Sequence, residues 1–345
     1  RILGLISVPA LRQALDTVVV RHETLRTRFV SFNGYPVQAI LDDAGAMLTE
    51  ADLRSLEPSH RQTRARRLLD EACRQPFDLT SDPPVRFQLI LLDDHEAHLA
   101  AVFHHIASDG WSLGVFMEEF RTAYQAAVAQ EPVPCPPVRH SYTEVFRHQG
   151  ERYDDMARAR DRDYWTTQLH GASCDLEWPA VRQDNAPAGY EGDLVRFTLP
   201  ADLVAHVQRL AVQERATPFM VLMAGLQTLL YRYSGQTEFN VGTPFAGRTS
   251  REAEGLIGPF VNTLVIKADV SRDPTFHDLL RRVRDTCVAA YAHSRLPFDE
   301  VVEAMNPERG SDRSPLFRVM LVLQPPLPLK GTCAGITVSP LETST

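Results

Sequence analysis

Cysteine is scarce and scattered. Cys73, Cys135, Cys174, Cys287 and Cys333 lie far apart, are odd in number, and show no CxxC or Cys/His ligand spacing. That pattern excludes a disulfide framework and a structural zinc site, and it fits a reducing, cytoplasmic compartment. No apolar run reaches the roughly 18 residues of a membrane span, and no signal-peptide pattern stands at the start, so no membrane partner is expected. The chain opens on Arg1 rather than Met, so a start upstream of it is expected. An excess of basic charge is also missing. The net charge of −8 argues against nucleic acid, whose phosphates are bound by clustered Lys and Arg. The one basic run, "HRQTRARR" (60–67), is interleaved with Ala65, Leu68, Leu69 and Ala72 and reads as the wet face of an amphipathic helix. Short internal repeats are absent.

What is there is enough for a large core: 345 residues, 44% of them hydrophobic, a length that suggests two domains. A helix is expected from about Pro9, with Leu11, Leu15, Val18 and Val19 on one face, and "RHETLRTRF" (21–29) reads as its end passing into a strand. "VRFQLILL" (85–92) and "AHLAAVF" (97–103) read as a hairpin around "DDHE". Leu113, Phe116, Met117, Phe120, Ala123, Tyr124 and Ala127 then hold a helical spacing, with Ser112 as the expected N-cap. Two connectors are expected, the Pro-rich 130–140 and the polar 178–193. Beyond them, "TPFMVLMAGLQTLLYRYSG" (217–235) reads as a buried helix closed by Gly235, and 237–248 as a strand entering a loop. Residues 275–293 read as an amphipathic helix and "LFRVMLVLQ" (316–324) as a buried strand. The alternation of strands and helices in both halves predicts an α/β fold of two lobes, 1–177 and 178–345.

The chemistry concentrates in "AVFHHIASDGWSLGVF" (101–116), where His104, His105, Asp109 and Gly110 fall between a strand end and a helix start. Imidazole suits proton transfer near neutral pH, Asp109 can fix the loop by pairing with an arginine, and Gly110 allows close backbone approach. The residues alone leave equal room for a pair of half-buried structural histidines. A metal site is disfavoured, because His105 and Asp109 share a face only on a helix and no third ligand clusters with them. "GWSLG" (110–114) matches G-x-S-x-G, but a nucleophile elbow needs its serine directly after a strand, and Ser112 stands well beyond Phe103.

"HHIASDG" (104–110) resembles the HHxxxDG signature of condensation domains of nonribosomal peptide synthetases. "RHETLRTRF" (21–29), "YRYSGQTEFNVGTPFAGR" (231–248), "IGPFVNTLVIK" (257–267) and the run 293–324 resemble further motifs of that family, in the same order. "RHETLRTRF" and "SDGWS" resemble the subtype that joins two L-residues. The resemblance implies two chloramphenicol-acetyltransferase-like lobes arranged as a V around a central tunnel. It implies an acyltransferase that forms a peptide bond between a donor thioester and the α-amine of an acceptor aminoacyl thioester. The partners implied are upstream donor and downstream acceptor carrier proteins, each bringing a 4'-phosphopantetheine arm, together with adjacent synthetase domains; no directly bound cofactor and no metal are expected. By the same resemblance His105 is catalytic, as base or as positioning group, and the Gly110 amide holds the oxyanion. His104 supports the loop, and Asp109 is salt-bridged to Arg21 or Arg26, with Arg248 behind them. Asn262 faces the substrate tunnel. For Arg21, Arg26 and Arg248 a purely fold-holding role stands equally open, as does a turn-satisfying role for Asn262. The family extends past both ends of this sequence, so the resemblance implies a piece truncated at both ends. An ester-forming or lipo-initiating relative, an epimerising relative and a non-catalytic recruiting domain of the same fold are the alternatives.

Overall fold

Local sequence signals set the element order of the computed structural model, which describes residues 1–42, 44–134, 140–173, 175–177, 192–305, 316–324 and 326–341. The elements are β1 (Ile2–Leu3), α1 (Val8–Arg21), a 3-10 turn (Glu23–Arg26), β2 (Thr27–Phe32), β3 (Tyr35–Ile40), β4 (Leu48–Asp52), α2 (Pro58–Arg74), β5 (Val85–Asp93), β6 (Glu96–Phe103), α3 (Gly110–Ala129) and α4 (Tyr142–Glu151). They continue with α5 (Asp155–Leu169), α6 (Ala201–Gln213), α7 (Pro218–Ser234), β7 (Glu238–Phe245), α8 (Arg251–Glu254), β8 (Asn262–Asp269), α9 (Phe276–Ala292), α10 (Phe298–Met305), β9 (Val319–Met320), β10 (Gly331–Cys333) and β11 (Ile336–Val338). Most of the expected connectors at 130–140 and 178–193, with Cys135 and Cys174, lie outside the described residues.

The chain divides into two compact units. Unit 1 comprises 1–150, 248–260 and 325–345, and unit 2 comprises 151–247 and 261–324. This division differs from the expected one at 177/178. Trp165, Leu169 and Leu176 enter the core of unit 2, whereas β11 returns to pair with β1 in unit 1.

Unit 1 is built on a six-stranded sheet of order β10-β11-β1-β6-β5-β4, antiparallel except for the β4–β5 pair. Strand alternation decides which residues go to which face. Val85, Phe87 and Leu89 of β5 pack with Leu11, Leu15, Val18 and Val19 of α1 and with Phe116 and Phe120 of α3. Ile90 and Leu92 point the other way, onto Ala65 and Leu69 of α2. Arg64, Arg66 and Arg67 are exposed on α2, as the basic run predicts.

In unit 2 the sheet has the order β8-β7-β9. Its core joins Phe239 and Val241 of β7 and Leu264, Val265 and Ile266 of β8 to Trp165 of α5, Met223 of α7 and Leu280 and Val283 of α9. Thr217 caps α7, accepting from the Met220 amide, and Gly235 closes it at φ 71°, where only glycine is unstrained. One expectation needs correction. Only Val319–Met320 of the run 316–324 is strand, paired with Val241 and Gly242, and Met320, Val322 and Leu323 are exposed. An apolar run does not say which of its residues find a pairing edge. Residues 192–200 hold no regular element and are exposed throughout.

Phe317 packs so closely on β7 that a Cβ on Gly242 would stand 2.6 Å from its ring. Gly242→Ala is therefore expected to cost about 1–3 kcal/mol through forced repacking. A urea midpoint equal to that of the wild type, with unchanged slope, would show that the close approach relaxes freely.

Candidate active site

The candidate site grows from the end of β6. Phe103, the last β6 residue, pairs with Val85, and its ring meets Phe87 and Phe116 edge-on. The His104 amide donates to the Pro84 carbonyl at 2.8 Å and extends the ladder by one residue. The His104 ring is engaged as well. Its Nδ1 accepts from the Ile106 amide at 3.1 Å, which places the ring proton on Nε2, and its plane meets Phe77 edge-on, 5.7 Å between centroids. His105 differs. It is exposed, and among the described residues its ring has no hydrogen-bond partner. The turn then closes through Ala107, whose amide donates to the His104 carbonyl.

The helix begins earlier than expected. Asp109, not Ser112, is the N-cap of α3, and Gly110 is its first residue. Ser112 is the third helical position and completes a capping box. Its amide donates to Asp109 Oδ1 at 2.8 Å, and its own Oγ accepts from the Asp109 amide at 3.3 Å. The Gly110 amide belongs to the first turn, whose N–H groups have no intrahelical acceptor, so it is one of the donors a developing anion can use.

Asp109 also corrects the expected ion pair. Its partner is Arg248, with Nη2 at 3.0 Å from Oδ1 and side-chain exposures of 2% and 1%. Asp109 Oδ2 further accepts from the Phe260 amide at 3.2 Å. The Arg248 guanidinium is shared widely. Nη1 donates to the Ala253 and Leu256 carbonyls and Nη2 to Ser112 Oγ at 3.0 Å, while the Phe260 ring covers its face at 4.3 Å. Burial pulls the pKa of Arg248 down, and the Asp109 carboxylate works against that pull. Ser112 Oγ is within hydrogen-bond distance of both the amide and the carbonyl of Gly258, each at 3.1 Å. A 1%-exposed hydroxyl inside a helix and bonded on every side has none of the exposure a nucleophile elbow requires.

Arg21 and Arg26 are occupied elsewhere. Arg21 Nε donates to Glu119 Oε1 at 2.7 Å, and Arg26 donates to the Val20 and Leu41 carbonyls. The neighbours of Arg21 were not singled out by sequence, yet each bonds a residue distant in the chain. His22 Nε2 lies 2.8 Å from Glu119 Oε2, and its Nδ1 accepts from the Ile257 amide at 3.3 Å. Glu23 accepts from the Thr143 amide and Thr24 donates to the Ile257 carbonyl. Burial pushes the Glu119 carboxyl up, but His22 and Arg21 together outweigh it and hold its pKa below the usual carboxylate range. The signal that could have found His22, Glu23 and Thr24 is the motif itself, whose polar positions are more numerous than one ion pair needs.

Asn262, expected to face substrate, belongs to unit 2 and clasps the α9–α10 connector. Its Nδ2 donates to the Ser294 and Leu296 carbonyls, each at 2.8 Å, and Oδ1 accepts from the Thr263 and Phe298 amides. All four positions of the amide are thereby used. Among the described residues no three His, Cys, Asp or Glu side chains cluster as metal ligands, and no helix is long and apolar enough to cross a membrane.

Removing one partner of the buried pair strands the other. Arg248→Met is expected to cost about 3–5 kcal/mol, and Arg248→Lys to recover little of it, because a single ammonium does not reproduce the guanidinium fork. Urea unfolding followed by tryptophan fluorescence measures both; a lysine variant of wild-type stability would refute the fork argument. Asn262→Asp turns two donors toward the connector into acceptors and is expected to destabilise unit 2 by about 2–3 kcal/mol. Circular dichroism melts read that loss, and an unchanged melt would mean the clasp is dispensable.

The sequence profile described as "Condensation domain" matches residues 1–331. In Brevibacillus parabrevis, one of the linear gramicidin synthase proteins is 40% identical over 335 residues, which are 97% of this chain and 7% of that protein. The chain thus spans less than a tenth of that relative. Among solved structures, the X-domain in its complex with OxyB from teicoplanin biosynthesis is 27% identical with a TM-score of 0.84, covering 99% of this chain and 75% of its own. The first condensation domain of the CDA synthetase shares the fold at a TM-score of 0.74 and 23% identity, over 97% of this chain and 78% of its own. The mixed α/β fold is the chloramphenicol-acetyltransferase-like fold of those structures, and the chain belongs to the condensation-domain family of nonribosomal peptide synthetases.

Proposed function

We propose that the chain forms an amide bond between a donor acyl or peptidyl thioester and the α-amine of an acceptor aminoacyl thioester. Both substrates arrive on the 4'-phosphopantetheine arms of partner carrier proteins, within a synthetase of adjacent domains, in the cytoplasm. The observation that carries this reading is the contrast between two neighbouring histidines. His104 is tied into the loop, while His105 is exposed and its ring has no hydrogen-bond partner among the described residues, on a loop anchored by the buried Asp109–Arg248 pair.

The acceptor nitrogen attacks the thioester carbon, a C–N bond forms, and the C–S bond breaks. His105 accepts a proton from the attacking amine or holds that amine in line, and the departing thiolate takes up a proton as it leaves. The carbonyl oxygen carries the negative charge of the tetrahedral intermediate, and the Gly110 amide in the first turn of α3 is the donor placed to hold it. An amine attacking a thioester needs little base assistance, so positioning supplies a large part of the rate. No resident cofactor or metal enters the scheme. The motifs "RHETLRTRF" and "SDGWS" support an acceptor and donor that are both L-configured. They support this scheme over an ester-forming or lipo-initiating one.

One observation favours a second reading. The X-domain that resembles this chain was solved in complex with OxyB, so a domain of this fold can bind another protein; a recruiting role without catalysis is the alternative. The test supplies loaded donor and acceptor carriers and reads the acceptor-bound product by intact-protein mass spectrometry. His105→Ala, folded by circular dichroism, is expected to lose roughly a hundredfold or more of the rate. Absence of product from the folded wild type across several aminoacyl pairs, or a His105→Ala variant as fast as wild type, would favour recruitment.

A further inference from the structure

We infer that Glu119 is a positioning residue for the His105–Gly110 loop, acting through His22 on the segment that holds Asp109. The inference rests on the proposed peptide-forming role of that loop. Glu119 stands seven residues after Ser112 on α3, two turns along the same helix face. Both residues grip one segment at adjacent positions. Ser112 Oγ meets the amide and carbonyl of Gly258, and Glu119 reaches Ile257 through His22, whose Nε2 it binds at 2.8 Å and whose Nδ1 accepts the Ile257 amide.

Two attachment points fix an orientation where one fixes only a distance. The segment 248–260 holds only the four-residue α8 as regular structure, so side-chain grips set its register; Thr24 Oγ1, which donates to the Ile257 carbonyl, and the packing of Gly258 and Phe260 on Tyr142 add to these two. It brings Arg248 to Asp109 Oδ1 and the Phe260 amide to Asp109 Oδ2, and Asp109 caps the turn that starts at Gly110. The path from Glu119 to the loop therefore runs through named hydrogen bonds within unit 1. The carboxylate also selects the imidazole tautomer. By accepting from Nε2–H it leaves Nδ1 as the acceptor that Ile257 requires, the logic by which a buried carboxylate orients a histidine. Arg21 at 2.7 Å holds the other carboxylate oxygen and keeps Glu119 from turning away. With side-chain exposures of 13% for Glu119 and 1% for His22, water is a poor substitute for either contact.

The test compares wild type, Glu119→Gln, Ser112→Ala and the double variant in the intact protein with loaded carriers. Glu119→Gln is expected to lower kcat roughly ten- to a hundredfold, the cost of a small misplacement at a distance, with the acceptor KM within about twofold. Because Glu119 and Ser112 grip one segment, the double variant should fall little below the slower single variant rather than show the product of both losses. Hydrogen–deuterium exchange over 104–112 reads the same linkage without turnover and should accelerate in Glu119→Gln. If Glu119→Gln does not fold, His22→Gln enters the same cycle with the same expectation. A folded Glu119→Gln variant with wild-type exchange over 104–112, or with wild-type kcat in an active enzyme, overturns the inference, as do multiplicative losses. Faster exchange in a protein whose wild type makes no peptide would sustain the positioning role and sink the proposed function instead.

Discussion

A carboxylate and a guanidinium that are both almost fully out of water hold the candidate site together. Burying such a pair is costly unless nearly every donor and acceptor is used, and here they are used heavily. Asp109 accepts from the Ser112 amide, the Phe260 amide and Arg248, and the two Nη atoms of Arg248 reach three carbonyls besides Asp109 and Ser112. An apolar pair of equal volume could match the stability but not the register. The segment 248–260 is also fitted by shape, since a Cβ on Gly258 would stand 2.5 Å from the Tyr142 ring. Charge fixes where that segment sits along α3, and steric fit fixes how near it comes.

Much of the frame that carries this pair was legible locally. The β5–β6 hairpin, the apolar stripes of α1 and α3 and the capped helix 217–235 follow from periodicities of two and 3.6 and from cap residues. The partner of Asp109 was named only in second place, through the resemblance, because it lies 139 residues away and periodicity carries no information over that distance. Arg21 and Arg26 were put first through the resemblance of their motif, but Glu119 and the Leu41 carbonyl engage them. The N-cap was misread for a local reason: "SDGWS" offers Asp109 and Ser112, two good capping types three residues apart, and the reciprocal box uses both. Asn262 shows a further limit. An amide side chain is equally suited to substrate and to backbone, and only the connector's position shows that its four hydrogen-bonding positions are taken.

Membership in the condensation-domain family narrows the chemistry without deciding it. The X-domain bound to OxyB and the condensation domain of the CDA synthetase both superpose on this chain, so the fold accommodates different tasks and function has to be argued from the site. What the chain contributes to that argument is a loop fixed from behind. The ion pair, the capping box and the His104–Phe77 contact all brace residues 104–112, and none engages the ring of His105.

That asymmetry is hard to explain by stability alone. A fold-holding histidine is expected to be buried with both nitrogens engaged, as His22 is between Glu119 and Ile257, or anchored through one nitrogen, as His104 is by Ile106. His105 has neither property, yet it stands in a heavily braced loop of unit 1. Bracing a loop whose exposed imidazole makes no bond among the described residues adds rigidity without adding contacts for that imidazole. Such rigidity is useful when the ring has to meet a reactant that arrives from outside, because the entropy of placing it has then been lost during folding rather than at the moment of reaction.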